Sequence, residues 1–481
     1  MISTLALACI LCAEPIDIGS RRELFVDNVL IDSTRNIDLR LHEPIPWELA
    51  LVFDAPWEGN SCCYVTVFQD GDAYRMYYRG GGQTLKGDAP AHEYTTCYAE
   101  SADGVHWKKP DLYLMEFGGS KENNIVWMGE ASHNFVPFKD ANPACTPEAR
   151  YKAVALEKGG LHAFQSVDGI RWTRLREAPI ITQGAFDSQN LVFWDSIQGE
   201  YRAYWRDFRD GRRDIRTAVS KDFLTWTEPE WLSYPGAPDE QLYTNQVIPY
   251  FRAPHILLGF PTRYVDRGWS ESMRALPELE HRLKRSEASA REGTALTDGL
   301  FMSSRDGLAF HRWDHVFIRP GLRTADNWVY GDNYQAWGII ETKSAVESSP
   351  DELSVFATES YWTGSSCQLR RFTLRTDGFV SAGAPNSGGD LVTKPMIFSG
   401  DKLALNFSTS AAGSVRIEIQ GADGTPIPGF ALADPPEIFG DALDQVVPWK
   451  DNRTLAELSG KPVRLRFEIK DANLYAFRFF K

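Results

Sequence analysis

The stretch Ser101-Ala-Asp103-Gly104-Val-His-Trp107 decides the fold, because it returns along the chain. Serine, aspartate, glycine and tryptophan keep the same spacing in Ser166-Val-Asp168-Gly169-Ile-Arg-Trp172, and altered copies follow at 220–226, 304–313 and 376–379. In such a phrase the aspartate accepts hydrogen bonds from the backbone that follows it, and the glycine adopts a positive φ. The aromatic side chain at the end fills a core. We therefore predict a tight turn at each copy.

Runs typical of β-strands precede each turn. Examples are Tyr74-RMYY-Arg79 and Tyr201-RAYW-Arg206, which are rich in aromatic residues, and a further strand-like run lies upstream of each. The order strand, polar turn, strand, loop, strand, Asp-Gly turn, strand recurs five times. Four antiparallel strands per repeat, arranged radially, form a β-propeller. We predict an all-β protein: a five-bladed β-propeller followed by a small C-terminal β-sandwich.

The same reading divides the chain into segments. Residues 1–13 read as a signal peptide, because Ile2 to Cys12 is an apolar run, and cleavage near Ala13 would leave a secreted or periplasmic protein. Residues 14–385 are assigned to the propeller, with a helical insertion near 268–293 that is rich in charged helix formers. A Gly/Ser/Pro-rich linker precedes the sandwich at 386–481.

Composition excludes several classes of protein. The chain has 481 residues and a net charge of −14, with no Lys/Arg-rich face, so no nucleic acid is expected as a partner. No further apolar stretch is long enough for membrane insertion. The five cysteines that follow the predicted signal peptide lack the C-x-x-C spacing of a zinc site, and phosphate-loop and dinucleotide motifs are absent, so we expect neither a metal nor a cofactor. The oligomeric state stays open.

Candidate catalytic residues lie just before the first strand of each repeat. In a propeller these positions converge near the axis, where pockets form. Glu58, Asp187 and Glu240 are the predicted catalytic carboxylates, and Asp332 holds the equivalent place in the fifth repeat. Turns also favour aspartate, so each acid has a structural alternative. We predict that at least two of these four carboxylates share one pocket.

Other side chains suit a sugar ligand. Arginine presents a planar fork to carboxylates or hydroxyls, and aromatic rings stack on the apolar faces of sugars. The predicted substrate-binding residues, besides Asp332, are Trp57, Arg79, His133, Arg206, Asp207 and Arg263.

These features resemble a known superfamily. A five-bladed propeller with acids at the inner strand starts, followed by a β-sandwich, resembles the invertase/levansucrase and arabinanase/xylosidase clans of glycoside hydrolases. The runs Glu23-LFVDNVLID and Gly184-AFDSQN look like secreted, uncharacterised bacterial members. Arg206-Asp207-Phe208 is similar to an Arg-Asp-Pro motif of the invertases but lacks the proline, and no Glu-Cys motif is present.

The resemblance implies a secreted glycoside hydrolase, an O-glycosidase acting on a plant or algal oligo- or polysaccharide. A carboxylate pair in the axial pocket would cleave the glycosidic bond, one protonating the leaving oxygen and the other activating water or attacking the anomeric carbon. Two alternatives remain: a non-catalytic glycan-binding propeller, and a glycoside phosphorylase whose phosphate would sit on Arg79, Arg206 and Arg263. A sialidase-like reading of those three arginines competes, although sialidases have six blades.

Overall fold

The computed structural model describes residues 14–84 and 90–481, so the predicted signal peptide at 1–13 lies outside the described residues. The chain folds into two compact units, 43–376 and a second one that joins 14–42 to 377–481. It is nearly all-β and carries many four-stranded sheets, which is consistent with a propeller. Across the two described ranges, no helix is long and apolar enough to cross a membrane.

Unit 43–376 contains five four-stranded antiparallel sheets, counted over its described residues and numbered here along the chain. Sheet 1 has the strands Cys63–Asp70, Ala73–Gly80, Thr95–Ser101 and Ile125–Met128. Sheet 2 has Val136–Lys139, Tyr151–Glu157, Gly160–Ser166 and Thr173–Arg174. Sheet 3 has Leu191–Asp195, Glu200–Arg209, Arg212–Ser220 and Glu230–Trp231. Sheet 4 has Ile248–Tyr250, Ala253–Gly259, Met302–Ser304 and His311–Arg312. Sheet 5 has Ile340–Thr342, Glu352–Glu359 and Gln368–Leu374, completed by Ile45–Val52 from the start of the unit.

The recurring turns pack against neighbouring sheets. Gly104, Gly169 and Gly307 have φ values of 74°, 77° and 80°, which confirms the predicted turn. In the turn of sheet 2, the Asp168 carboxylate accepts the backbone N–H groups of the two residues after Gly169. A Cβ on Gly169 would lie 2.8 Å from the Tyr77 hydroxyl of sheet 1, and that hydroxyl donates to the Gly169 carbonyl. Glycine is therefore required both for its φ and for the close approach.

The contacts between sheets run in order along the chain and then close on themselves. Sheet 4 meets sheet 3 as sheet 2 meets sheet 1, since the Tyr204 hydroxyl donates to the Gly307 carbonyl. Phe138 of sheet 2 packs against Phe223 in the turn of sheet 3. At the closure, the Tyr74 hydroxyl of sheet 1 donates to the Glu341 carbonyl of sheet 5. Large aromatic side chains such as these form most of the packing between sheets.

Two elements interrupt sheet 4. A three-stranded sheet consists of Gln241–Leu242, Thr262–Asp266 and Ala295–Gly299. The segment predicted to be helical contains the α-helices Glu271–Arg274 and Leu279–Ala288 and the 3₁₀ turn Ala290–Gly293. The remaining 3₁₀ turns of the described chain are Glu130–His133, Pro147–Ala149 and Lys450–Asn452.

The second unit is built around a ten-stranded sheet, as far as residues 14–42 and 377–481 show. Its strands are Ile16–Gly19, Arg22–Leu24, Ile31–Arg35, Asp38–Leu41, Val380–Ala384, Gly389–Thr393, Met396–Phe398, Lys402–Gly421, Asp441–Val446 and Pro462–Phe480. The predicted boundaries, 14–385 and 386–481, differ from this division. The reason is long-range pairing: the strand Arg22–Leu24 pairs with Pro462–Phe480, and Asp38–Leu41 pairs with Val380–Ala384.

Candidate functional site

A cavity of about 140 Å³ lies where the first strands of the five four-stranded sheets begin. We call it the tyrosine cavity, because six of its thirteen described lining residues are tyrosines. Its lining residues are Cys63, Tyr64, Arg79, Gln83, Tyr94, His133, Asp187, Tyr243, Arg291, Glu292, Tyr330, Tyr334 and Tyr361. Tyr64, His133, Asp187, Tyr243 and Tyr334 lie at or just before the first strands of sheets 1 to 5, so every sheet contributes.

Asp187 stands in a loop that its neighbours hold rigidly. Gly184 has a φ of 153°, and a Cβ there would lie 2.4 Å from the Trp205 indole nitrogen, so only glycine lets the loop pass this ring. Asn134 donates to the carbonyl groups of Phe186 and Ser188, on either side of the aspartate. The loop thus presents the Asp187 side chain, which is 54% exposed, to the cavity.

Three basic groups act on the Asp187 carboxylate. His133 Nε2 lies 2.8 Å from one of its oxygens, and an Arg206 guanidinium nitrogen lies 3.6 Å from the other. Burial by itself raises the pKa of Asp187, but the His133 hydrogen bond and the charges of Arg206 and Arg79 outweigh it and lower the pKa to about 2. Burial also lowers the pKa of His133, against the opposing effect of Asp187. The Asp187 carboxylate is therefore ionised near neutral pH.

The second carboxylate of the cavity comes from the helical insertion. Glu292 is 5% exposed and lies in the 3₁₀ turn that follows the helix Leu279–Ala288. Its two oxygens lie 3.5 Å from guanidinium nitrogens of Arg285 and Arg291. Arg285 is itself fully buried and donates to the carbonyl groups of Tyr330 and Tyr361. The insertion is thereby fastened to two cavity residues, and the segment places Glu292 among the tyrosines.

Four of the six tyrosine hydroxyls of the cavity stay neutral. Burial raises the pKa of Tyr64, Tyr330, Tyr334 and Tyr361 well above the ordinary value. A neutral phenol both donates and accepts hydrogen bonds, while its ring offers an apolar face. The cavity therefore combines apolar faces with hydroxyl groups, as a sugar ring does.

The structure brings together part of the predicted site. Arg79, His133 and Asp187 line the tyrosine cavity, and Arg206 contacts Asp187 from its rim, with its guanidinium 4.8 Å from the centre of the Tyr243 ring. Of the four candidate acids, only Asp187 lines this cavity. The prediction that two of them share one pocket is not met in this cavity, where the second carboxylate among the described lining residues is Glu292.

Glu58 lies apart from the cavity, with a side chain that is 0% exposed. One oxygen accepts the Tyr78 hydroxyl, and the other accepts the backbone N–H of Ala55 and the Lys109 ammonium at 2.7 Å. Nearby, the Trp57 indole nitrogen donates to the Asn124 side chain. Both side chains are used by the fold of sheet 1, which leaves neither a polar group for a ligand.

Glu240 and Arg263 lie in a separate cleft of about 990 Å³, which we call the Glu240 cleft. One Glu240 oxygen lies 2.6 Å from an Arg263 nitrogen, and the other oxygen pairs with Arg312. Arg263 also forms two hydrogen bonds to Asp298, at 2.9 and 2.7 Å. The three-stranded sheet carries Arg263 and Asp298 away from the first strands, so the expected arginine trio of residues 79, 206 and 263 does not form.

The last two predicted residues also lie elsewhere. Asp207 is paired with Arg216 at 2.9 Å across two strands of sheet 3. Asp332 is 2% exposed and accepts the backbone N–H of Tyr361. Burial raises the pKa of Asp332 well above its usual range. It positions the backbone beneath Tyr361 and lines a different cleft.

Glu292 and the tyrosines of the cavity were not predicted from the sequence. A signal for the first was present in the helix Leu279–Ala288, whose buried residues are Arg282 and Arg285 while Leu283 is exposed. A helix whose buried face carries arginines packs against polar groups, and for Arg285 these are the backbone carbonyls of two cavity residues. The tyrosines had a positional signal, because Tyr64, Tyr243 and Tyr334 recur at equivalent strand starts.

Comparisons with known proteins give distant similarities. No family profile matches the chain, and no curated protein matches it. A solved structure described as a glycoside hydrolase is similar with a TM-score of 0.42 and 15% identity, over 69% of this chain and 92% of that one. A fructofuranosidase variant from Schwanniomyces occidentalis, complexed with fructosylnystose, has a TM-score of 0.38 and 12% identity, over 97% of this chain and 99% of the other. An endo-1,4-beta-xylanase from Bacteroides thetaiotaomicron has a TM-score of 0.39 and 11% identity, over 67% and 95%. These structures include glycoside hydrolases, the class that the sequence resembles, but similarities this distant carry no argument, and the function rests on the site.

Proposed function

We propose that this protein is a glycosidase that cleaves a glycosidic bond in the tyrosine cavity, with Asp187 and Glu292 as its carboxylate pair. The observation that carries the proposal is this pair of acids in one cavity, each held by its own basic partners. Two carboxylates flanking one position are what glycoside hydrolysis requires.

The cavity is prepared for a polar ligand. Three of its buried polar atoms, Arg79 Nε, Gln83 Oε1 and the Tyr334 hydroxyl oxygen, have no hydrogen-bond partner in the described chain. Such atoms are costly to bury unless a ligand or water completes them. A sugar ring supplies hydroxyl groups for these atoms and C–H faces for the tyrosine rings. We infer a glycan as the ligand, of plant or algal origin as the sequence suggested.

The two acids have different roles. Asp187, ionised because its pKa is about 2, activates water or attacks the anomeric carbon. Glu292 must first take up a proton from solvent, against the charges of Arg285 and Arg291, and then transfers it to the leaving oxygen. His133 and Arg206 hold the Asp187 carboxylate by one oxygen each, which fixes its orientation toward the ligand.

The proposal extends to the architecture around the site. We infer that the five sheets are five propeller blades, because their contacts close in a ring and all five reach one cavity. The C-terminal unit would be a β-sandwich. The apolar run Ile2 to Cys12 supports export, so the enzyme would meet its glycan outside the cytoplasm.

The test is a screen of plant and algal glycans, followed by kinetics on aryl glycosides of the sugar that is released. Asp187→Asn is expected to lower kcat/KM by about 10²- to 10⁴-fold for every leaving group. Glu292→Gln should lose a similar factor with a poor leaving group, but recover most of it with dinitrophenol, which needs no proton to depart. This contrast assigns the two roles.

The matched control is Asp222→Asn, the same change in a turn of sheet 3 outside the cavity. It should leave kcat/KM within about twofold, as surface changes away from a site usually do. Equal activity of the wild type and Asp187→Asn would overturn the proposed site. A wild type that binds a glycan without turning it over would replace the proposal by a glycan-binding protein.

A further inference from the structure

Arg79 borders the tyrosine cavity and has no carboxylate within ion-pair distance in the described chain, although its charge acts on Asp187 from farther away. Asp187 is paired with His133 and Arg206, and Glu292 is held between Arg285 and Arg291. Among the residues that the structure describes, Arg79 forms no ion pair within 4 Å, although it is only 5% exposed. A buried charge without a contacting counter-charge is strongly unfavourable, so its presence at a cavity indicates a charged ligand.

The surroundings of Arg79 position its guanidinium without neutralising it. The group lies 4.9 Å from the ring centres of both Tyr64 and Tyr94. One terminal nitrogen donates to the Ser61 carbonyl at 2.9 Å and reaches the Tyr361 hydroxyl at 3.4 Å. Nε has no partner, and no hydrogen bond to a described residue uses the other terminal nitrogen. Nε and the unused terminal nitrogen are the two donors with which an arginine binds an oxyanion in a bidentate manner.

A neighbouring thiol does not supply the missing charge. Burial raises the pKa of Cys63 to about 12, so this thiol beside Arg79 is neutral. The Tyr64 and Tyr361 hydroxyls beside the guanidinium are neutral for the same reason. Asp187 acts on Arg79 only from beyond 4 Å, so an ion pair in direct contact with the guanidinium is left for a ligand.

We propose that Arg79 forms an oxyanion subsite of the tyrosine cavity, occupied by the carboxylate of an acidic sugar or by inorganic phosphate. This rests on the proposed function, since both sources belong to glycan cleavage. With a uronic acid, Arg79 selects the sugar and water cleaves the bond. With phosphate, a phosphate oxygen attacks the anomeric carbon, the glycosidic C–O bond breaks, the leaving oxygen takes the proton, and a sugar phosphate is released.

Calorimetric titration separates these sources without relying on turnover. The probes are D-glucuronate and D-galacturonate, their neutral parents D-glucose and D-galactose, and inorganic phosphate. If a sugar carboxylate fills the subsite, a uronate binds about 10- to 100-fold tighter than its parent, the range of a charge-assisted hydrogen bond. If phosphate fills it, phosphate binds and the uronates gain nothing over their parents. Either result supports the subsite only when Arg79→Met abolishes the gain and Arg79→Lys, which keeps the charge but loses the fork, restores part of it.

Arg75→Met is the matched control. Arg75 lies earlier in the same strand, over the Tyr151 ring, and is already paired with Asp70 at 2.6 Å. It should leave anion binding unchanged. Anionic and neutral probes that bind alike, or a gain that survives in Arg79→Met, would overturn the subsite. Arg79-dependent anion binding in a protein that cleaves no glycan would instead overturn the proposed function and leave the subsite standing.

Discussion

The tyrosine cavity and the Glu240 cleft show why size alone is a poor guide to a functional site. The cleft is the larger, about 990 Å³ against about 140 Å³, and both hold carboxylates and arginines. In the cleft each oxygen of Glu240 already has an arginine, and Arg263 is shared with Asp298. In the cavity each Asp187 oxygen also has a basic partner, but its side chain is 54% exposed, and atoms of Arg79, Gln83 and Tyr334 lack hydrogen-bond partners among the described residues. Charges that satisfy one another stabilise a fold, whereas unsatisfied ones are left for a ligand.

The largest effect is expected at Glu58, a third acid whose hydrogen-bond and ion-pair partners are all residues of the protein itself. Glu58→Gln should lower the free energy of unfolding by about 1.5–3 kcal/mol, since Lys109 loses a charge-assisted hydrogen bond in a buried site and keeps only the exposed Asp54 as a carboxylate partner. Asp54→Asn is the matched control: Asp54 pairs with the same lysine at 3.2 Å, but its side chain is 71% exposed, so the cost should be about 0–1 kcal/mol.

Urea unfolding of the two variants measures this difference, and turnover per folded molecule should be the same in both. A Glu58→Gln protein that is as stable as Asp54→Asn but has lost its activity would place Glu58 in the chemistry after all. The cavity around Asp187 would then have to share its role with sheet 1.

Local turns could be predicted from the sequence, whereas contacts between residues far apart in the chain could not. The turn at Ser166-Val-Asp168-Gly169 follows from a few neighbouring residues, and the structure shows it as expected. The placement of Asp187 beside Arg206 follows from strand order. Glu58 looked equivalent to Asp187, but a turn that joins its N–H to the Ala55 carbonyl directs its carboxylate to Lys109, and no local pattern reveals that partner.

The same limit explains the other differences. Glu292 enters the cavity from an insertion that interrupts the repeat, so repeat logic could not place it. The strand Arg22–Leu24 joins the C-terminal unit by pairing with Pro462–Phe480, almost the full length of the chain away. Both cases depend on contacts between segments that are far apart in the sequence. The order of strands does not predict those contacts.

His133 tests why the cavity keeps Asp187 ionised. Because hydrogen bonding and basic charges depress the Asp187 pKa to about 2, this group contributes stability above its unfolded pKa of about 3.9 and loses it as the pH falls through about 2. His133→Leu removes the hydrogen bond, so the Asp187 pKa should rise toward about 3.9. The acid limb of the kcat/KM profile should move up by about 1–2 pH units.

His133→Gln separates the hydrogen bond from mere packing, because its amide can still donate to Asp187. It should restore much of the low acid limb, while a protein damaged only in its packing would lose activity equally at all pH values. An acid limb that stays in place in His133→Leu would show that Arg206 and Arg79 suffice to hold the charge of Asp187.

The smallest effect is expected at Glu240. A large effect there would contradict the contrast between the tyrosine cavity and the Glu240 cleft. Glu240→Gln weakens two arginine pairs in the large cleft and should cost some stability, but it should leave kcat/KM within about twofold when turnover is referred to folded protein. The reason is geometric: Glu240 has no oxygen free of an arginine, so a substrate would have to displace an ion pair to reach it. A loss as large as that expected for Asp187→Asn would mean that the cleft, with its arginines rearranged around a ligand, carries the chemistry. The unsatisfied atoms of the tyrosine cavity would then mark a binding site only.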